Sequence, residues 1–207
     1  MNHIDKLKSK LDSVKTTERI LPSHEIEQKY IDKIYKLDLS SEIDSNSIVN
    51  LIFKYKEQYP ISNKSSLKTW HSEYHTHKKT SDFDTLIHVI ENKLKLIDDT
   101  RDEFVNTVFE SWVAIYKRSE YAGWHNHSDN RFRWSVVYYA KAEENCAPIV
   151  FKDLEIVPKT NMLLVFPSRA YHMVRKSQSD IERIIFSANL DILPVDILPE
   201  CKNKMYL

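Results

Sequence analysis

The chain has 207 residues, with 30 Lys and Arg balanced by 30 Asp and Glu, 42% hydrophobic residues and a single glycine, Gly123. This describes an ordinary globule of about one medium domain, and a formal net charge of zero argues against a dedicated nucleic-acid binder. One glycine excludes the Walker loop, the three-glycine dinucleotide fingerprint and the G-x-S-x-G elbow. No run reaches the 18 or so apolar residues of a membrane span. The first residues, MNHIDKLKSKLDSVK, lack an apolar h-region and a small-residue cleavage site, which predicts a cytoplasmic location. Cys146 and Cys201 form neither a disulfide framework nor a metal knuckle.

In chain order, Ile4, Leu7, Leu11 and Val14 recur at helical steps and predict a short amphipathic helix, interrupted by Pro22. Ser23 with Ile26, Tyr30, Ile34 and Leu37 predicts a capped second helix, and Ile43–Tyr59 a third that ends before Pro60. Residues 61–80 are polar and irregular. Phe83, Leu86, Ile87, Ile90, Leu94 and Ile97 then mark a helix with one apolar stripe. From about Val108 the pattern becomes short β-branched and aromatic runs: VFESWVAIYK, RWSVVYYA, APIVFKD, NMLLVFP and ERIIFSANL. The fold class expected is α+β with a mainly β core, a barrel or double-sheet jelly roll. Residues 1–60 form an N-terminal helical region packed outside it, and residues 61–207 the β domain. The DILP repeat at 191–194 and 196–199 reads as an extended surface strap.

The histidines are clustered. Three lie in His71–His77, two in His125–Asn126–His127, and His172 sits in FPSRAYHMV. Asp129 stands two residues after His127, a spacing that puts both side chains on one face. With His172 from a distant strand they make a two-histidine, one-carboxylate set, the facial triad of non-haem Fe(II) oxygenases. Arg183 follows in the next apolar strand, where a guanidinium can grip a carboxylate through two hydrogen bonds. His71 and His75 share a helical spacing, but their segment is polar and reads as a loop over a site entrance, with Trp70 or Tyr74 within reach of a substrate. Trp112 reads as core and Trp124 as the rim of a pocket. Cys146, on an expected turn without a neighbouring base, reads as structural.

Several segments, in order and at fitting spacing, resemble the 2-oxoglutarate/Fe(II)-dependent oxygenase family common in tailed phages and marine bacteria. TWHS at 69–72 is similar to that family's GWQS, and SWVAIY at 111–116 to its Trp-containing strand. HSDNRFRWSVVYYA resembles its histidine loop and SGVYYV strand, LLVFPSRAYHMV its LLLFPSWLxHxV run, and ERIIFSANL its ERISISFN strand. The resemblance covers about residues 60–190 and implies a double-stranded β-helix distantly similar to prolyl hydroxylases. It implies His127, Asp129 and His172 as iron ligands and Arg183 as the partner of the distal 2-oxoglutarate carboxylate. Family members often carry H-x-H at the first two positions. Counting back without gaps from Ser135–Tyr139 selects His127 and Asp129, whereas a two-residue insertion selects His125 and His127. Val136 stands where relatives have Gly, and Ile185 where they have Ser. Tyr116 or Tyr138 could supply the missing hydroxyl.

The activity so implied is hydroxylation of a C–H bond in a peptide, amino acid or small metabolite, with Fe(II), 2-oxoglutarate and molecular oxygen as cofactor and co-substrates. Two other classes stay open at this point. One is a non-catalytic, metal-retaining binding or virion-associated β-domain; the other is a cupin-like metal enzyme that does not use 2-oxoglutarate.

Overall fold

The structure, a computed structural model, describes residues 33–60, 69–97, 104–127, 133–143 and 145–194. Among these residues ten strands form two antiparallel sheets. The larger has the order β1 (Tyr35–Asp38), β8 (Met162–Pro167), β5 (Trp134–Lys141), β10 (Arg183–Pro194), β3 (Phe104–Tyr116) and β2 (Trp70–His71). The smaller has the order β4 (Ala122–His125), β9 (His172–Val174), β6 (Ile149–Phe151) and β7 (Leu154–Ile156).

The strands of the large sheet are apolar on both faces because both are covered. On β10, Ile184, Phe186, Ala188 and Leu190 point to one side, and Arg183, Ile185, Ser187 and Asn189 alternate to the other; all are buried. The first side packs beneath two helices, α1 (Ser45–Gln58) and α3 (Asp84–Ile97). Helix α1 starts where the Asp44 carboxylate accepts the Asn46 N–H at 3.1 Å and the Ser47 hydroxyl at 2.6 Å. It buries Ile48, Ile52 and Tyr55 and stops before Pro60. Helix α3 buries Leu86, Ile90 and Leu94, the predicted stripe; each such side chain contributes roughly 1.5–3 kcal/mol. Between them lies a single helical turn, α2 (Thr76–Lys79). The other side of the large sheet faces a second apolar cluster that includes Ala114, Tyr116, Tyr139, Phe151, Phe166 and Ile185. The site is built on this inner side.

The helix expected across Ser23–Leu37 is not borne out at its end. Tyr35–Asp38 is a strand at the edge of the large sheet, paired with Met162–Val165. Tyr35 and Leu37 fit a period of two as well as the helical step, and pairing with β8 decides between them. The helix expected at Ile4–Val14, and the start of the second, lie outside the described residues. Of the DILP repeat, Asp191–Pro194 extends β10 alongside β3, and its second copy lies outside the described residues. No helix among the described residues is long and apolar enough to cross a membrane.

Candidate metal centre and its cavity

Strands β4 and β9 pair so that His125 and His172 are Cα partners. The chain leaves β4, and the His127 N–H donates to the Ser168 carbonyl at 2.8 Å, which returns that imidazole toward the other two. One nitrogen from each of His125, His127 and His172 lies within 4.8 Å of the other two, the distance at which one ion could bridge all three. Among the described residues this is the one cluster of three or more such donors.

The imidazoles are prepared as ligands. Nδ1 of His125 bonds the Gly123 carbonyl at 2.7 Å, and Nδ1 of His172 bonds the Ala170 carbonyl at 2.9 Å. A carbonyl only accepts, so each Nδ1 carries the proton and each Nε2 presents a lone pair. Burial pushes His172 well below the usual imidazole range, with His125 and His127 adding like-charge repulsion; burial also lowers His125. Neutral rings converging on one point suit iron, zinc, copper or nickel.

The cluster opens on a cavity of about 330 Å³ between the two sheets. Its floor follows the cross-strand register of β3, β10 and β5: Ala114, Ile185 and Tyr139 form one row, and Trp112, Ser187 and Val137 the next. Arg183 and Tyr116 close one end. Arg183 is 2% exposed, and its Nη1 donates to the Ala147 carbonyl at 2.9 Å. Its guanidinium carbon lies 4.0 Å from the centroid of the Tyr116 ring and 6.0 Å from that of Tyr139. The Arg183 Nε is buried and has no hydrogen-bond partner among the described residues. A buried donor on a fixed cation leaves an acceptor unaccounted for, and a ligand carboxylate would supply it. Burial pushes the Tyr139 hydroxyl up to about 12, and burial also raises that of Tyr116 despite the neighbouring guanidinium; both rings stay neutral beside the cation.

At the mouth, His71 stacks on Trp112 with ring centroids 5.7 Å apart and planes 18° from parallel, and Tyr74 meets both rings edge-on. Ser72 fixes this wall by bonding the Val113 backbone through its own N–H and through its hydroxyl. Trp124, 54% exposed, completes the rim.

His127, His172, Arg183 and Tyr116 therefore share one cavity. Asp129 lies outside the described residues. Tyr138 is elsewhere: it is fully buried in the helix-covered core, with its hydroxyl donating to Asn161 at 2.7 Å. Its neighbour Tyr139 takes the place by the cavity. Nothing in WSVVYYAK reveals which tyrosine faces in, because both faces of β5 are apolar; the register against β10 decides it.

No protein-family model and no curated protein matches the chain. Solved structures do match. The viral collagen prolyl hydroxylase of Paramecium bursaria Chlorella virus-1, in its 2OG complex, aligns with a TM-score of 0.57 at 19% identity, covering 76% of this chain and 95% of that one. The non-haem α-ketoglutarate-dependent carbocyclase SnoK of nogalamycin biosynthesis aligns with a TM-score of 0.64 at 9% identity over 85% and 86% of the two chains. A prolyl hydroxylase from Trichoplax adhaerens, bound to a hypoxia-inducible-factor peptide fragment, gives 0.57 at 12% identity over 84% and 96%. The two facing antiparallel sheets are thus the jelly-roll-like fold of 2-oxoglutarate/Fe(II) oxygenases.

Proposed function

We propose that this chain is an Fe(II)- and 2-oxoglutarate-dependent oxygenase acting on a C–H bond of a peptide, amino acid or small metabolite. The observation that carries the reading is the sharing of one cavity by the three-histidine cluster and a buried arginine with an unpartnered Nε. His127 and His172 hold the metal, His172 through Nε2, and the geometry of the described residues offers His125 as the third ligand. Arg183 anchors a dicarboxylate at the far end, with the Tyr116 ring beneath its guanidinium fixing the plane of the fork. Bound iron, 2-oxoglutarate and molecular oxygen supply the oxidation, which yields succinate, CO2 and a hydroxylated product. The chain orients those groups, excludes water with Phe166, Val174 and Ile149, and positions the substrate against the aromatic mouth. The order of its motifs supports a reading near the phage and marine bacterial branch of these enzymes.

In this reading residues 61–207 carry the oxygenase and 1–60 support it, α1 by packing on the large sheet and β1 by adding a strand to its edge. Anaerobic addition of Fe(II) and 2-oxoglutarate should give the weak visible charge-transfer band of a bidentate chelate. Its absence in folded, metal-loaded protein overturns the co-substrate assignment. One observation favours a second reading, a metal protein that does not use 2-oxoglutarate. A three-histidine donor set also suits zinc, and Ile185 puts an aliphatic side chain two residues from Arg183 on the cavity floor. Tight metal binding without the band would establish it.

A further inference from the structure

Beyond the Trp112 row, the next row of the sheet is polar, and one member of it, Ser135, lines the cavity. Glu110, Asn189 and Ser135 are cross-strand partners on β3, β10 and β5. Asn189 and Ser135 are 1% and 2% exposed, and Glu110 is half-buried. The Asn189 Nδ2 donates to Glu110 Oε2 at 3.1 Å, and the Ser135 hydroxyl donates to Asn189 Oδ1 at 2.7 Å.

This chain of bonds has a direction. A carboxylate only accepts, so the Asn189 amide must turn its NH₂ toward Glu110 and its carbonyl toward Ser135. The only proton of the serine hydroxyl is then committed to that carbonyl. Ser135 lines the cavity, and what it can offer there is lone pairs. The row lies at the opposite end of the floor from Arg183. Arg183 and Asn189 are six residues apart on β10, roughly 20 Å along an extended strand, so a carboxylate anchored on Arg183 does not reach it. The next row holds Trp112, which faces Ser187 and is enclosed by the rings of His71, Tyr74 and His127. No carboxylate lines the cavity among the described residues.

We infer that Ser135 is a specificity-determining hydrogen-bond acceptor, held in that role by Asn189 and Glu110. The cavity takes a group whose N–H or O–H points at Ser135. It rejects an isostere that brings a lone pair to the same place, because two acceptors then face each other with no proton between them. The inference rests on the reading of this cavity as the substrate cavity and names the substrate's recognition group. Glu110 does not line the cavity and acts as a positioning residue.

The test is an NMR titration of the full-length chain with indole and with benzofuran, which has the same shape but an ether oxygen in place of the N–H. Indole should bind about three- to tenfold more tightly, the range of one net hydrogen bond. Ser135→Ala should abolish the preference. Ser135→Cys keeps the volume with a far weaker acceptor and should level it to within about twofold. Glu110→Gln should reduce it, since the glutamine amide can donate and let Asn189 turn over. Equal affinities in the unaltered chain, binding of neither probe, or a preference that survives both Ser135 variants overturns the proposal. The titration needs neither iron nor 2-oxoglutarate, so its outcome is separable from that of the charge-transfer experiment.

Discussion

His125 and His172 oppose each other across the β4–β9 pair with ring centroids 4.3 Å apart. A half-buried and a buried imidazole at that separation repel when protonated, so burial and mutual charge both hold His172 in its neutral form. An ion bound between them and His127 would be shared by lone pairs that otherwise face one another. Replacing His172 by Ala should therefore remove iron binding. Loss of a ligand should exceed the 10–100-fold that loss of a hydrogen-bonding partner around a metal typically costs. Co(II) absorption titration would measure it, with circular dichroism confirming the fold. Unchanged affinity would take His172 out of the centre.

The two possible donor sets differ by one residue, and they make opposite predictions. If the set is His125, His127 and His172, which lie mutually within 4.8 Å, His125→Ala weakens metal binding as severely as His172→Ala, and Asp129→Ala leaves it within a few-fold. If the ungapped spacing from Ser135 governs, the two variants exchange behaviour. His127→Ala is severe under both. The proximity of the three rings favours the first outcome, and a direct comparison of Co(II) affinities decides.

Arg183 is the second test of the site. Its guanidinium lies beneath 2% exposure, stacked on Tyr116, with Nη1 held by Ala147. Lysine keeps the charge but loses the planar fork and the stacking. Arg183→Lys should weaken 2-oxoglutarate binding by about 2 kcal/mol or more, in the range of a lost charge-assisted hydrogen bond, while Co(II) affinity without co-substrate stays unchanged. Loss of both together would indicate that the arginine supports the fold and not the ligand.

These residues also mark what the sequence could and could not reveal. His127, His172 and Arg183 could be picked out because their ordered spacing along the chain suits a jelly roll, and all three line one cavity; Asp129, the expected third ligand, lies outside the described residues, and His125 stood only as the alternative. Helix α3 was legible for a local reason, its single apolar stripe. Strand β1 was not, because four residues of YKLD satisfy either period and only the distant β8 distinguishes them. Tyr138 and Tyr139 were indistinguishable because β5 is buried on both faces. The Glu110–Asn189–Ser135 row was invisible for a third reason: its members are 25 to 79 positions apart in sequence at their closest and farthest, and only antiparallel register aligns them.

His77 gives the fold a dependence on acidity additional to that of the metal centre. Its Nδ1 bonds the Ser111 hydroxyl at 2.7 Å, the same oxygen accepts the His77 backbone N–H at 2.9 Å, and its Nε2 is buried without a hydrogen-bond partner among the described residues. Burial, followed by the charges of Lys78 and His75, lowers its pKa from 6.5 to about 4. The unfolded chain therefore takes up a proton at a pH where the folded chain does not. Stability contributed by the neutral ring is complete above about pH 6.5, falls as the pH drops through the interval, and stops falling near pH 4. With allowance for partial solvent screening the loss is roughly 1–2 kcal/mol. Urea unfolding of metal-free protein at pH 7 and pH 4.5 should show it, and His77→Gln should flatten that part of the slope while leaving the share due to His125 and His172. Identical slopes for the two proteins would mean that His77 titrates alike in both states, and that its burial beside Ser111 does not hold it neutral.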